Sequence, residues 1–164
     1  MRAIAVIVAC AAGCGDNLPA TDAGSACTAT FAGGFDDTVS SPGSCAQIAI
    51  MDGSVDRLLE LAIDSPVLGA QVSISIDLGP APVPGEYSSE VIATWHAVEA
   101  RSFLDGACVY SAGDQITPNG SFALALTAIE ATSAHGVLDI VQYVHAVDGT
   151  NCGPSDTETI RVTF

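Results

Sequence analysis

Polar and apolar residues alternate along much of the chain, most regularly over residues 71–78. The apolar members of this run are Val72, Ile74, Ile76 and Leu78. Residues 157–164 alternate in the same way, and the residues predicted to point inward there are Ile160, Val162 and Phe164. Because successive side chains of a strand point to opposite faces, both stretches predict β-strands with one buried and one solvated face.

The rest of the chain carries the same signal more weakly. Further strands are predicted over residues 28–31, 46–51, 57–63, 87–101, 108–110, 121–130 and 136–147. Residues 57–63 contain helix-favouring Leu, Glu and Ala, but the stretch is short and lies between turns, so we assign it to a strand. The Gly33-Gly34 pair allows a bend or bulge. Prolines make residues 79–86 an extended loop, because proline removes a backbone donor.

About eight short strands separated by turns, with no convincing helix, predict an all-β domain. The fold that we expect is an antiparallel β-sandwich of two sheets. A closed β-barrel is the alternative. We find no internal repeat and no second domain, so residues 27–164 are predicted to form a single unit.

The first sixteen residues have the composition of a secretory leader. Arg2 is the only charge before Asp16, residues 3–9 are all apolar, and residues 11–13 are small. A positive start, a short apolar core and small residues before a cleavage site are typical of a signal peptide. The apolar run is too short to span a bilayer, which needs about 20 residues.

The end of this leader, Ala11-Ala12-Gly13-Cys14, resembles a bacterial lipoprotein signal. In that family, small residues precede a cysteine that is acylated with diacylglycerol and becomes the mature N-terminus, so the resemblance implies lipidation of Cys14. The sequence departs from the pattern at Ala11, where the family usually has leucine. Cys10 is the alternative, since Ile7 fits that first position better, but it leaves an even shorter apolar core. Several acyl chains on one residue give a stable anchor.

The resemblance divides the chain into a signal peptide (1–13), a small, polar and flexible tether (14–26) and the β-sandwich domain (27–164). It implies an exported protein of the cell envelope, anchored by lipid to the outer or inner membrane and facing the periplasm or the exterior. A lipidated start followed by short strands also resembles small uncharacterised lipoproteins of Gram-negative bacteria. That resemblance assigns no activity.

The chain contains six cysteines. If Cys10 leaves with the leader and Cys14 carries the lipid, four remain for the domain: Cys27, Cys45, Cys108 and Cys152. An even number in an exported chain indicates two disulfides. Three pairings are possible, and we prefer Cys27–Cys45 and Cys108–Cys152, because each pair is consecutive and flanks predicted strands.

The charge balance excludes one class of partner. The chain has 4 Lys and Arg residues against 19 Asp and Glu residues, a formal net charge of −15. Such a surface repels nucleic acid and anionic lipid head groups, so no nucleic-acid partner is expected. A solvated acidic surface explains this balance, and cation binding or a salty habitat are the alternatives.

Recognisable catalytic motifs are absent from the sequence. There is no Gly-x-Ser-x-Gly elbow, no Ser-x-x-Lys and no His-Glu-x-x-His, and no Cys-x-x-Cys that would indicate zinc. We therefore expect a protein that is not an enzyme and needs no cofactor. A dispersed catalytic triad is the alternative.

The sequence also offers two weaker candidate sites, one for calcium and one for a sugar or peptide. Oxygen ligands for calcium could come from Asp148, Asn151, Asp156 and Glu158. A solvated polar loop is the preferred explanation of these residues, and solvation is also the preferred explanation of the adjacent carboxylates Asp36 and Asp37. An aromatic patch for sugars or peptides could be built from Tyr87, Trp95 and His96. A partly buried, hydrogen-bonded histidine is the preferred explanation of His96, and the patch is the alternative.

The leading functional hypothesis is a non-catalytic lipoprotein with a binding, adhesion or envelope-structural role. It would contact the membrane through its lipid, bind an unknown protein or carbohydrate, and be a monomer. The alternatives are a secreted hydrolase with a dispersed active site and a calcium-stabilised adhesion module.

Overall fold

The computed structural model describes residues 26–41, 45–50, 55–65, 69–103, 106–113, 119–148 and 156–164. These ranges form one antiparallel set of eleven strands and no helix, which confirms the predicted all-β class. The strands are β1 (Cys27–Ala32), β2 (Asp37–Ser41), β3 (Ala46–Ile50), β4 (Arg57–Ser65), β5 (Ala70–Asp77), β6 (Gly85–Ser88), β7 (Trp95–Phe103), β8 (Gly106–Gly113), β9 (Ser121–Ile129), β10 (Ala134–Asp148) and β11 (Thr157–Thr163). A helix able to cross a membrane does not occur within these ranges.

The long strand β10 organises the sheet, whose main path runs β2-β1-β11-β10-β8-β7-β5-β4-β3. Residues 134–141 of β10 pair with β9, and residues 143–148 pair with β8. β11 pairs with residues 137–143, which overlap both stretches, so it must lie along the opposite edge of β10. β10 therefore belongs to two halves of the sheet: one contains β6, β9, β11, β1 and β2, and the other contains β8, β7, β5, β4 and β3.

The two halves curl toward each other, giving a half-barrel that is consistent with either a sandwich or a barrel. The β3 edge reaches the β9–β10 turn, where Gln47 bridges to Ser133 and the Ile48 amide donates to the Thr132 carbonyl at 3.1 Å. The disulfide Cys27–Cys45 joins β1 to the residue before β3, which confirms the first predicted pairing.

The predicted half-buried strands are confirmed by their burial. Every residue predicted to point inward over 71–78 and 157–164 is buried. Arg161, which points to the opposite face of β11, is exposed. The core on the inner side of the sheet includes Phe31, Leu59, Leu61, Ile74, Ile76, Trp95, Phe122, Leu124, Leu138, Ile140, Ile160 and Val162. Trp95 and Phe122 meet edge to face with their ring centroids 4.9 Å apart.

Several predicted boundaries were wrong. The short strand β2 was missed, and β6 begins inside the predicted 79–86 loop. The strand predicted over 87–101 is two elements, because Val91 and Ile92 donate to the Ser88 carbonyl and form a turn before β7. β8 is longer than the predicted stretch 108–110. β2 pairs along the outer edge of β1, and β6 pairs along the outer edge of β9. The formation of both strands therefore depends on these neighbours rather than on an apolar pattern of their own.

Some predictions lie on residues outside the described ranges. These include the leader, Cys10, Cys14, most of the tether and Cys152. Cys108 is buried and disulfide-bonded, and its pairing with Cys152 stays a prediction.

Candidate functional site

The inward-facing side chains change from apolar to polar at one end of the sheet. On β7, buried Ala97 is followed on the same face by buried Glu99 and Arg101. The same change occurs at Gln142 on β10 and at Glu158 on β11, which are register partners. Since buried polar groups are costly unless paired, these residues form a structural feature that needs an explanation.

Arg101 lies at the centre of this group, with only 2% of its side chain exposed. Its Nε donates to Glu99 Oε1 at 2.5 Å, and its Nη1 donates to Asp37 Oδ2. Its Nη2 lies 3.6 Å from Glu158 Oε1, within ion-pair range. We call Asp37, Glu99, Arg101, Gln142 and Glu158 the Arg101 cluster. Three carboxylates thus face one guanidinium.

Aromatic rings cover the guanidinium group. The Arg101 Cζ lies 4.7 Å from the Phe31 ring centroid and 4.1 Å from that of Phe35. Phe35 also meets Tyr110 edge to face, with the centroids 6.1 Å apart. Cation–π contacts of a desolvated guanidinium stabilise the folded state by about 2 kcal/mol. The rings also exclude water, which strengthens the ion pairs around Arg101.

Residues 33–36, which we call the β1–β2 loop, are hydrogen-bonded to Glu158. The amides of Gly34 and Phe35 both donate to Glu158 Oε2, at 2.5 and 2.9 Å. Gly33 has φ +115°, a conformation that glycine adopts readily, so the predicted bend at the glycine pair depends on this residue. The loop therefore connects β1 and β2 directly to the Arg101 cluster.

Glu99 has donors on both carboxylate oxygens. Its Oε1 accepts from Arg101, and its Oε2 accepts from Gln142 Nε2 at 2.7 Å. Burial raises the pKa of Glu99, while the bonds from Arg101 and Gln142 oppose the rise. Its side chain is fully buried, so this carboxylate acts inside the fold.

Glu158 is less well satisfied than Glu99. Its Oε1 accepts no hydrogen bond. Among the described residues, Gln142 Oε1 likewise accepts none, and Arg101 Nη2 donates none. Burial raises the pKa of Glu158 from 4.5 to about 7, and the charge of Glu99 adds to the rise. The amide bonds from the β1–β2 loop and the charge of Arg101 lower it, but they do not outweigh burial.

The outward face of the sheet carries a different feature, an open groove across β4, β5 and β7. It has a volume of about 360 Å³ and is lined by Ala62, Ser73, Val98 and Ala100, among others. A second hollow of about 380 Å³ shares Ala62 and Ser73 and continues to Glu60, Ser75 and His96. We call the two together the outer groove. Small outward side chains create it, since they leave the sheet surface uncovered.

The calcium candidates that the structure describes do not form one site, and neither do Asp36 and Asp37. Glu158 is buried and bonded to the β1–β2 loop, whereas Asp156 is exposed. Asp37 belongs to the Arg101 cluster, and Asp36 is exposed. The Asp148 side chain and Asn151 lie outside the described residues. Among the described residues, no three His, Cys, Asp or Glu side chains are grouped to hold a metal ion.

The aromatic candidates do not share a surface. Trp95 is buried in the core, and His96 is exposed on the opposite face of β7. The Tyr87 hydroxyl donates to the Val83 carbonyl at 2.6 Å, and its ring packs on the core. The alternative of an aromatic patch is therefore wrong, because Trp95 offers no ring face to a ligand, and the expected partial burial of His96 is wrong as well, because this side chain is exposed.

Sequence reasoning missed the Arg101 cluster. The signal was present on β7, because continuing the alternation from Trp95 and Ala97 places Glu99 and Arg101 on the same inward face. Comparison of the chain with family models, with curated proteins and with solved structures finds no match. The function of this chain is therefore inferred from its own sequence and geometry.

Proposed function

We propose that this protein is a non-catalytic, lipid-anchored domain of the bacterial cell envelope that binds a partner through the outer groove. The observation that carries the proposal is the Cys27–Cys45 disulfide, whose half-cystines are both buried. Structural disulfides persist in oxidising compartments and are rare in the cytosol. The disulfide thus supports export independently of the leader.

The position of the Arg101 cluster supports a non-catalytic role. General acids and bases must come within hydrogen-bond distance of the group that they protonate or deprotonate. Glu99 and Glu158 are fully buried and Arg101 is almost so, and their hydrogen bonds join β2, β7, β10, β11 and the β1–β2 loop. These groups therefore stabilise the interior, and none of them presents a reactive atom to solvent.

The outer groove supports a binding role. Its floor of Ala62, Ser73 and Ala100 is uncovered, while Glu60 and Asp64 line its β4 side and are exposed. A floor of small residues with carboxylates at the margin suits a ligand that offers hydrogen-bond donors or positive charge, such as a basic peptide or a hydroxyl-rich sugar. The two classes are distinguished by the binding test below.

Metabolic labelling tests the anchor. The full chain, expressed in a Gram-negative host with labelled palmitate, should carry the label and sediment with membranes. Cys14→Ala should lose the label, and the matched control Cys10→Ala should keep it. Label that persists in Cys14→Ala and is lost in Cys10→Ala would move the anchor to Cys10. An unlabelled protein in the cytosol would contradict the proposal.

Peptide and glycan arrays test the outer groove. The purified domain should bind one of the two ligand classes, and Ala62→Arg, which fills the floor, should abolish that binding. Thr163→Arg places the same side chain on the exposed face of β11 and serves as the control. Equal binding by the wild type and Ala62→Arg would exclude the groove as the binding surface.

A further inference from the structure

Two buried acceptor oxygens without a donor belong to register partners on neighbouring strands. Gln142 and Glu158 are register partners on the inward face, so their Cβ atoms lie about 5 Å apart and their side chains are within reach of each other. Gln142 Oε1 and Glu158 Oε1 both lack a donor, and both residues are fully buried. An unpaired buried acceptor costs about 1–3 kcal/mol, so two on one cross-strand pair is an unfavourable arrangement.

Rotation of the Gln142 amide does not resolve the conflict. Its Nε2 donates to Glu99 Oε2 at 2.7 Å. Exchanging the amide oxygen and nitrogen would place the oxygen against the Glu99 carboxylate and lose that bond. Gln142 Oε1 therefore stays an acceptor, and Glu158, the register partner of Gln142, can supply the missing donor when it is protonated.

The charge count leads to the same residue. Arg101 supplies one positive charge to Asp37, Glu99 and Glu158, so full ionisation would leave two uncompensated negative charges. Asp37 is partly exposed and bonded to Arg101, and both oxygens of Glu99 have donors. Glu158 Oε1 is the buried carboxylate oxygen of the cluster that accepts no hydrogen bond, and a proton placed there removes one charge and supplies one donor.

We propose that Glu158 carries a proton at and below neutral pH, that its O–H donates to Gln142 Oε1, and that loss of this proton releases the β1–β2 loop. The released carboxylate would repel Gln142 Oε1 and Glu99. Water that reaches Glu158 would relieve this repulsion. It can enter at the β1–β2 loop, because this short loop lacks the continuous backbone hydrogen bonds of paired strands. Entry there separates Gly34 and Phe35 from Glu158, and Phe35 from Arg101.

Charged and titratable groups face Glu158 from the elements that pack against it. Arg101 on β7 stays charged throughout. Burial raises the pKa of Tyr110 on β8, so its phenol stays neutral near pH 7. Asp37 on β2, Glu99 on β7 and the exposed Asp156 before β11 are the remaining acids, and β1 contributes Phe31 at this level. The rise in the pKa of Glu158 agrees with the hydrogen-bond argument.

Amide hydrogen exchange of the whole domain tests the proposal. Protection of the Gly34 and Phe35 amides, corrected for the base dependence of intrinsic exchange, should fall about tenfold per pH unit above neutrality, the limit for one linked proton. Glu158→Gln keeps an acceptor for the loop and offers an N–H to Gln142, so its protection should not vary with pH. Asp139→Asn, which alters the exposed pair with Arg161, should behave like the wild type.

Several results would overturn the proposal. One is amide protection in the wild type that stays constant or rises with pH. Another is a Glu158→Gln variant whose protection has the same pH profile as that of the wild type. A direct measurement covers the case in which Glu158→Gln does not fold. The side-chain carboxyl ¹³C shift of Glu158 in the wild type should report the protonated acid at pH 6 and ionise above neutrality. A carboxylate already ionised at pH 5 would refute the proposal.

Discussion

Gly34 passes so close to Tyr110 that a Cβ on the glycine would lie 2.3 Å from the tyrosine hydroxyl oxygen. The same Cβ would lie 2.7 Å from Glu158 Oε2, the atom that accepts the Gly34 amide. A Cβ does not approach a non-bonded oxygen this closely, so any side chain at Gly34 must displace the β1–β2 loop or the side chains of Tyr110 and Glu158. The loop and the Arg101 cluster are thus fitted to each other.

Gly34→Ala should destabilise the domain by about 1–3 kcal/mol, the usual cost of forcing a methyl group into a filled space. Urea denaturation monitored by Trp95 fluorescence measures the change. Gly85→Ala is the matched control, since a Cβ there meets nothing within 4 Å. Its expected effect is within about 0.5 kcal/mol of zero. Equal effects of the two substitutions would mean that the loop does not pack as described.

Arg101→Met should destabilise the domain by about 3–5 kcal/mol, because it removes the cation and leaves buried carboxylates without a partner. Arg161→Met is the control, since Arg161 is 59% exposed and pairs with Asp139 at 2.8 Å on the surface. An exposed pair contributes about 0–1 kcal/mol. Denaturant midpoints of the two variants decide the matter, and a small effect of Arg101→Met would show that the cluster contributes little to stability.

Stability should fall as the pH rises through the range set by Glu158. Its pKa is raised in the folded state from 4.5 to about 7, so between these values the folded protein binds more protons than the unfolded chain. The contribution of this residue is full below about pH 4.5 and is lost by about pH 7, a change of about 3 kcal/mol. Burial raises the pKa of Glu99 in the same direction.

The free energy of unfolding, measured from pH 4.5 to 8, checks this prediction. Glu158→Gln should lose the part of the slope that belongs to Glu158, and the difference between the two curves isolates it from other groups. A wild-type curve that rises relative to that of the variant over this range would reverse the predicted sign.

Replacing both Cys27 and Cys45 by serine should cost about 3 kcal/mol, because the bond closes a loop with a sequence separation of 18. Thermal unfolding of the variant and the wild type measures the loss. Thiol titration of the denatured, unreduced mature domain should find no free thiol, and peptide mapping should find Cys108 joined to Cys152. A Cys27–Cys108 peptide would contradict both the structure and the pairing.

Removal of calcium should leave the melting temperature unchanged. The Glu158 carboxylate is buried and accepts hydrogen bonds from the Gly34 and Phe35 amides, whereas Asp156 is exposed to solvent. The two carboxylates are therefore not placed to bind one calcium ion together. Scanning calorimetry with EDTA and with millimolar calcium makes the comparison. A melting temperature that rises with calcium would revive the calcium-stabilised module.

Alternation predicted the strands that bury one full face, such as β5 and β11, because their register against the core follows from side-chain period alone. It failed at β2, where Val39 is the one buried residue, since such a strand depends on its neighbour β1. It also failed at the Arg101 cluster. A charged residue is normally placed on the surface, and only the pairing of β10 with β11 brings Gln142 opposite Glu158.

The strand made last, β11, is inserted between β1, made first, and β10. Until β11 has been synthesised, β1 and β2 have only each other for pairing, and an isolated hairpin is marginal in water. The first two strands of the sheet therefore depend on the last one in chain order for their place beside β10.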